Sequence, residues 1–148
     1  MGANRKKVLI AVVIAIGVYG YIQKNSDVLA TFTGPGSTSD NSVAYAYQNQ
    51  LSDIQVSGSG NVSRILSDDN KGSRHQRFIL RLASGQTLLV AHNIDLAPRI
   101  DTLRNGDEVL FFGEYEWDAK GGVIHWTHHD PNNRHIGGWL KHNGRTYE

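Results

Sequence analysis

From Val56 onward the chain runs in short stretches of alternating apolar and polar residues, and a turn cluster closes nearly every stretch. This rhythm constrains the fold more than any other feature. Residues 56–66, 75–82, 86–91, 108–117 and 123–127 read as strands. The breaks Asp68-Asp69-Asn70-Lys71-Gly72, Ser84-Gly85, Asn105-Gly106-Asp107 and Ala119-Lys120-Gly121-Gly122 carry turn residues. In 75–82, Phe78, Leu80 and Leu82 take one face, and His75, Arg77, Ile79 and Arg81 the other. Gly58 and Gly60 permit a bend or bulge in the first strand, and 108–117 is the longest strand expected. Residues 96–103 are expected to form a short helix. Trp139–His142 and Arg145–Tyr147 flank Asn143-Gly144, the strongest type I′ hairpin signal.

Three strands, a short helix and two more strands follow the order of an OB-fold, and closing such short strands into a barrel removes their exposed edges. The expected class is therefore mainly β: a small OB-like five-stranded β-barrel with a C-terminal hairpin. An SH3-like barrel or another small β-barrel fits the same signals.

Ahead of the strands, Val43, Ala44, Tyr47, Leu51 and Ile54 recur at helical spacing, so a short amphipathic helix is expected over 43–54, with Ser42 as its N-cap. Residues 33–42 read TGPGSTSDNS, a linker composition. At the N-terminus, Arg5, Lys6 and Lys7 precede an uncharged run of 15 residues, 8–22, which Lys24 closes. A basic start before an apolar run is the pattern of a signal peptide or membrane anchor. At 1.5 Å per residue the run spans roughly 22 Å, enough for a signal core or for a short anchor whose flanking lysines reach the interfaces. The expected organisation is a signal anchor or signal peptide over 1–30, a linker over 31–42, and a barrel domain with its preceding helix over 43–148. The basic flank should stay cytoplasmic. In a bacterium, 8–22 would then sit in the inner membrane with the domain in the periplasm, or the chain would be released there if cleaved.

There are no cysteines, which excludes disulfides, thiol chemistry and Cys-based metal sites. Setting aside residues 1–30 leaves 11 basic and 13 acidic residues, so the rest of the chain carries a net charge of −2. That balance does not favour a nucleic-acid surface.

Five of the seven histidines lie between His125 and His142. His125, His128, His129, Asp130 and His135 form a candidate metal set suited to a divalent transition metal such as Zn²⁺ or Cu²⁺. Their spacing matches no established motif. The competing structural role is hydrogen bonding within an irregular loop, with Asp130 before Pro131 as a turn element. His75, Arg77, His92, Asn93, Glu114 and Trp117 are candidate ligand contacts on one barrel face, with the arginines as anion binders. The structural alternative pairs Arg77 and Arg81 with Glu114 or Glu116 on a neighbouring strand. Trp126, opposite His125 on its strand, is assigned to the core.

The stretch from Gly60 to Tyr147 resembles a bacterial domain-of-unknown-function family, number 3465. The likeness is carried by Arg74-His75-Gln76-Arg77-Phe78, Ala91-His92-Asn93-Ile94, Gly113-Glu114-Tyr115-Glu116-Trp117, the segment from Gly121 to Pro131, Gly138-Trp139 and His142-Asn143-Gly144. It implies a small exported β-domain and carries no activity with it.

Three functions fit these observations. The first is a membrane-anchored binding domain without catalysis, whose ligand the sequence does not name. The second is a metal-dependent hydrolase, a nuclease or phosphodiesterase, using the His125–Asp130 cluster. The third is periplasmic metal binding without catalysis.

Overall fold

Alternation is most extended in β1 (Ile54–Ile65), a 12-residue strand that pairs with two different neighbours. The computed structural model describes residues 39–148; the anchor read at 1–30 and linker residues 31–38 lie outside the described residues. The other strands are β2 (His75–Arg81), β3 (Thr87–Asn93), β4 (Glu108–Glu116), β5 (Val123–His125), β6 (Trp139–His142) and β7 (Arg145–Tyr147). A helix, α1 (Ser39–Gln48), precedes them. Among the described residues no helix is long and apolar enough to cross a membrane.

The sheet order is β1-β2-β3-β5-β4-β6-β7, and β1 also pairs with β4. The first five strands therefore close into a barrel, and β6 and β7 extend it as a hairpin. All pairings are antiparallel except β3 with β5. Closure demands that β1 lie against β4 from Ile54 to Asn61 and against β2 from Asn61 to Ile65. The register slips between Val62 and Arg64. There the Ser63 hydroxyl donates to the Ile79 carbonyl at 3.2 Å, supplying a hydrogen bond where the ladder is interrupted. The expected bulge is thus displaced from the glycines. Gly58 instead makes room: it faces Phe111 across the β1–β4 ladder, and a Cβ there would come within 2.5 Å of the ring tip.

Phe78, Leu80, Val90, Phe111, Tyr115 and Ile124 fill the interior. On β2 the buried and half-buried positions alternate as the sequence requires, with Gln76 joining the buried face. Val43 and Ala46 of α1 belong to the same core. The helix starts four residues before Val43 and ends at Gln48, so Ile54 belongs to β1 rather than to the helix. The Tyr47 hydroxyl donates to the Ala119 carbonyl, tying α1 to the β4–β5 connection.

No helix forms over 96–103, where turns and irregular backbone stand instead. Pro98 biases the residue before it away from helical backbone. Two buried side chains then hold the segment: the Gln76 amide donates to the Ile100 carbonyl and accepts from the Ile100 N–H, both at 2.9 Å, as a strand would. His92 reaches the Pro98 carbonyl. Ile100, fully buried, joins the core there. Asn143 and Gly144 have φ of 49° and 77°, the pair of positive values that a type I′ turn needs. The longest strand is β1 rather than β4, because β1 runs on past its pairing with β4 to pair with β2 over Asn61–Ile65.

Gly58→Ala should destabilise the domain by roughly 1–3 kcal/mol through overpacking. In urea unfolding, Phe111→Leu in the same chain should recover part of that loss, since it removes the ring tip a Cβ would meet; strictly additive effects would show that the two positions do not couple.

Candidate functional site

β5 and β6 share one edge of β4: β5 occupies 114–116 and β6 occupies 110–112. The segment between them leaves at Trp126, whose φ of 51° ends the strand. That turn reverses the expected alternation. Thr127 and His128 are buried, whereas Trp126 is half-buried outside the core. The Trp126 ring lies flat against His135, with centroids 4.0 Å apart and planes 9° from parallel.

Asp130 organises this loop. Its buried carboxylate accepts the N–H groups of Asn132, Arg134 and His135 at 2.7–2.9 Å. The Asn132 and Arg134 N–H groups, with that of His135, hold its carboxyl below the usual carboxylate range. This is the turn role read from Asp130-Pro131. It also delivers His135 to Glu114: Nε2 stands 2.5 Å from Oε2, while Nδ1 donates to the Ile136 carbonyl at 2.8 Å. With one nitrogen facing a carbonyl and the other a carboxylate, hydrogen on both ring nitrogens satisfies both contacts, so the setting favours the protonated ring. Burial would lower the His135 pKa, but Glu114, the Ile136 carbonyl and Asp130 together raise it above the ordinary value.

Across the ladder from Glu114 stands His125. Its Nε2 is 3.4 Å from Glu114 Oε1 and 3.6 Å from Glu116 Oε1. Among the described residues, Glu114, Glu116 and His125 are the His/carboxylate group whose donor atoms all lie within 4.8 Å of one another.

The structure distributes the other sequence candidates. His75 and Asn93 are ladder partners and line a hollow of about 200 Å³ with Leu96, His125, Trp126 and His128. The His75 Nδ1 donates to the Ser73 carbonyl, and the Asn93 carboxamide caps Asp95. His128 is buried and donates to the His129 carbonyl, and His129 is exposed. Arg77 donates to the Ser67 carbonyl and Arg81 to the Gly85 carbonyl. Neither pairs with Glu114 or Glu116, since β2 borders β1 and β3 rather than β4. Trp117 is exposed just past β4, its N–H on Ser52 Oγ.

His92 points into the barrel rather than toward a ligand. A carbonyl only accepts, so Nε2 donates to Pro98 (3.1 Å) and Nδ1 accepts from Thr127 Oγ1 (2.9 Å). Burial pushes its pKa down to about 4, and the ring stays neutral at pH 7.

Sequence reasoning missed a cleft of about 570 Å³ on the outer face of β1, β2, β3 and β5. Arg64, Ile79, Leu89 and Val123 are successive ladder partners and form a row across four strands. Leu66 extends the aliphatic surface, and Arg81 and Lys120 add charge. Among the described residues none of these three cations is within 4 Å of a carboxylate. The signal was present: Ile79 and Leu89 are apolar where outward-facing residues are usually polar.

A family model described as "Protein of unknown function (DUF3465)" matches residues 27–148. No curated protein matches the chain.

The neutral His92 makes stability depend on pH. Its folded pKa of about 4 lies below the unfolded value of 6.5, so the unfolded chain binds the extra proton between those limits. Stability should be fully present above pH 6.5 and fall by roughly 3 kcal/mol as pH drops to 4. His135, with a raised pKa, titrates above 6.5 and leaves this window clear. Urea unfolding at pH 7 and 4.5 checks it: His92→Gln, which can keep both hydrogen bonds, should flatten the dependence, and an unchanged slope would assign it elsewhere.

Proposed function

The chain belongs to the DUF3465 family over residues 27–148, a family of unknown function, and we propose that it is an exported, membrane-anchored binding domain with an OB-like barrel. The ligand lies in the cleft across β2 and β3. Strand order supports the OB-like reading: β1-β2-β3-β5-β4 closing on β1, with β3 and β5 parallel, is the arrangement in which the β2–β3 face and the β1–β2 and β4–β5 loops take ligands. Leu66 from the first loop and Asp118 and Lys120 from the second line the same cleft as Ile79 and Leu89.

The observation that carries the reading is the row Arg64–Ile79–Leu89–Val123, aliphatic at its centre and cationic at one end. Stacking of bases draws on aromatic rings, and no aromatic residue is among those lining this cleft. An aliphatic surface flanked by Arg64, Arg81 and Lys120 suits a polypeptide segment with apolar and acidic side chains. The domain's overall negative charge makes the local basic rim a selective feature rather than a general anion trap.

The anchor reading rests on Arg5, Lys6, Lys7 and the uncharged run 8–22. If it holds, protease added to spheroplasts should digest the domain while the chain fractionates with membranes; protection from the protease would place the domain inside.

For the cleft, full-length protein in mild detergent should bind acidic, leucine-rich peptides in fluorescence anisotropy, and Arg81→Glu with Lys120→Glu should weaken binding at least tenfold. Equal affinity in the double variant, or preference for oligonucleotides or acidic glycans over peptides, would overturn the peptide assignment.

A further inference from the structure

A second site stands apart from the cleft, where β4 and β5 meet the loop that Asp130 organises. Three donor atoms converge there from two strands. Glu114 and His125 are direct ladder partners, and Glu116 lies two residues along the same face of β4. His125 Nε2 is closed to solvent, and no group among the described residues hydrogen-bonds it. Its separations from the two carboxylates, 3.4 Å and 3.6 Å, are too long for strong hydrogen bonds. They suit a different bond. Ligands held 2.0–2.2 Å from a tetrahedral ion stand about 3.4 Å from one another.

We propose that Glu114, Glu116 and His125 bind one divalent transition metal ion, Zn²⁺ or Mn²⁺. One imidazole and two carboxylates suit these borderline-to-hard ions. Ca²⁺ takes six to eight oxygen ligands, more than this set offers. Two carboxylates also match the ion's charge. Three protein ligands leave a coordination position free, and Glu116, 35% exposed, leaves an approach from solvent.

The surroundings are arranged as metal sites require. Glu114 offers Oε1 toward His125, while its other oxygen accepts from His135. That hydrogen bond fixes the carboxylate's orientation, the supporting contact that ligating carboxylates commonly have. His135 is in turn fixed by stacking on Trp126 and by the Asp130 turn. Asp130 and His135 are thus positioning residues, and His129 stands outside the set.

A protonated His125 paired with both carboxylates would satisfy the same distances without a metal, and titration separates the two. Full-length, untagged protein in mild detergent is stripped with chelator, dialysed and titrated calorimetrically with Zn²⁺ and with Mn²⁺. One ion per chain is expected, with affinity reduced at least tenfold in Glu116→Gln and in His125→Ala and unchanged in His129→Ala. Glu116→Gln is isosteric and half-exposed, so its metal-free melting curve should match the parent and show that the fold survives. No saturable binding, equal binding in Glu116→Gln, or loss of binding in His129→Ala would overturn the assignment. The Arg81→Glu, Lys120→Glu chain should bind metal normally, which keeps this result distinct from the fate of the cleft.

Discussion

Everything in this domain depends on β1 serving two neighbours. Residues 54–61 of β1 pair with β4 and 61–65 with β2, so one strand closes the barrel. Closure needs small residues where the strands draw together, and Gly58 beneath the Phe111 ring is one of them. With β1 along one edge of β4, the other edge is left for β5 and β6 in succession. Gly113 marks the junction: a side chain there would run into the His125 carbonyl at 2.5 Å and the Thr127 methyl at 2.9 Å. The convergence of His125, Glu114, Glu116 and His135 is a consequence of how the barrel shuts.

Local pattern carried much of this architecture. Alternation placed the core face of β2, and the turn residues placed most breaks, down to the Asn143-Gly144 hairpin. The failures share a cause. Residues 96–103 look helical in isolation, but Pro98 and hydrogen bonds from Gln76 and His92, far away in sequence, decide otherwise. Trp126 looks like a core residue because alternation predicts it, and a single positive φ moves it outside. Periodicity carries no information about such reversals.

The candidate sites were legible as composition rather than as geometry. The histidine cluster includes His125, which the fold sets beside Glu114 and Glu116, and Asp130-Pro131 read as the turn that forms. Which donors meet depends on strand neighbours and register, and neither is encoded locally. Glu114 and His125 face each other only because β5 pairs with β4 in one alignment. Val123 and His125, successive outward positions on a strand of three residues, serve the two surfaces separately: Val123 lies in the aliphatic row and His125 among the carboxylates. The cleft and the His/carboxylate cluster thus share one strand, which fixes their relative placement.

The β6–β7 hairpin has a consequence for colloidal behaviour. Among the described strands β7 ends the sheet order, and its outer side is where a foreign chain could add by backbone pairing. It is three residues long. Arg145 lies over the Tyr147 ring, 4.9 Å from its centroid, and places a charge on the strand. So short and charged an edge gives little template for runaway stacking into fibrils. The hairpin thus blunts the end of the sheet on the side away from the aliphatic cleft's strands.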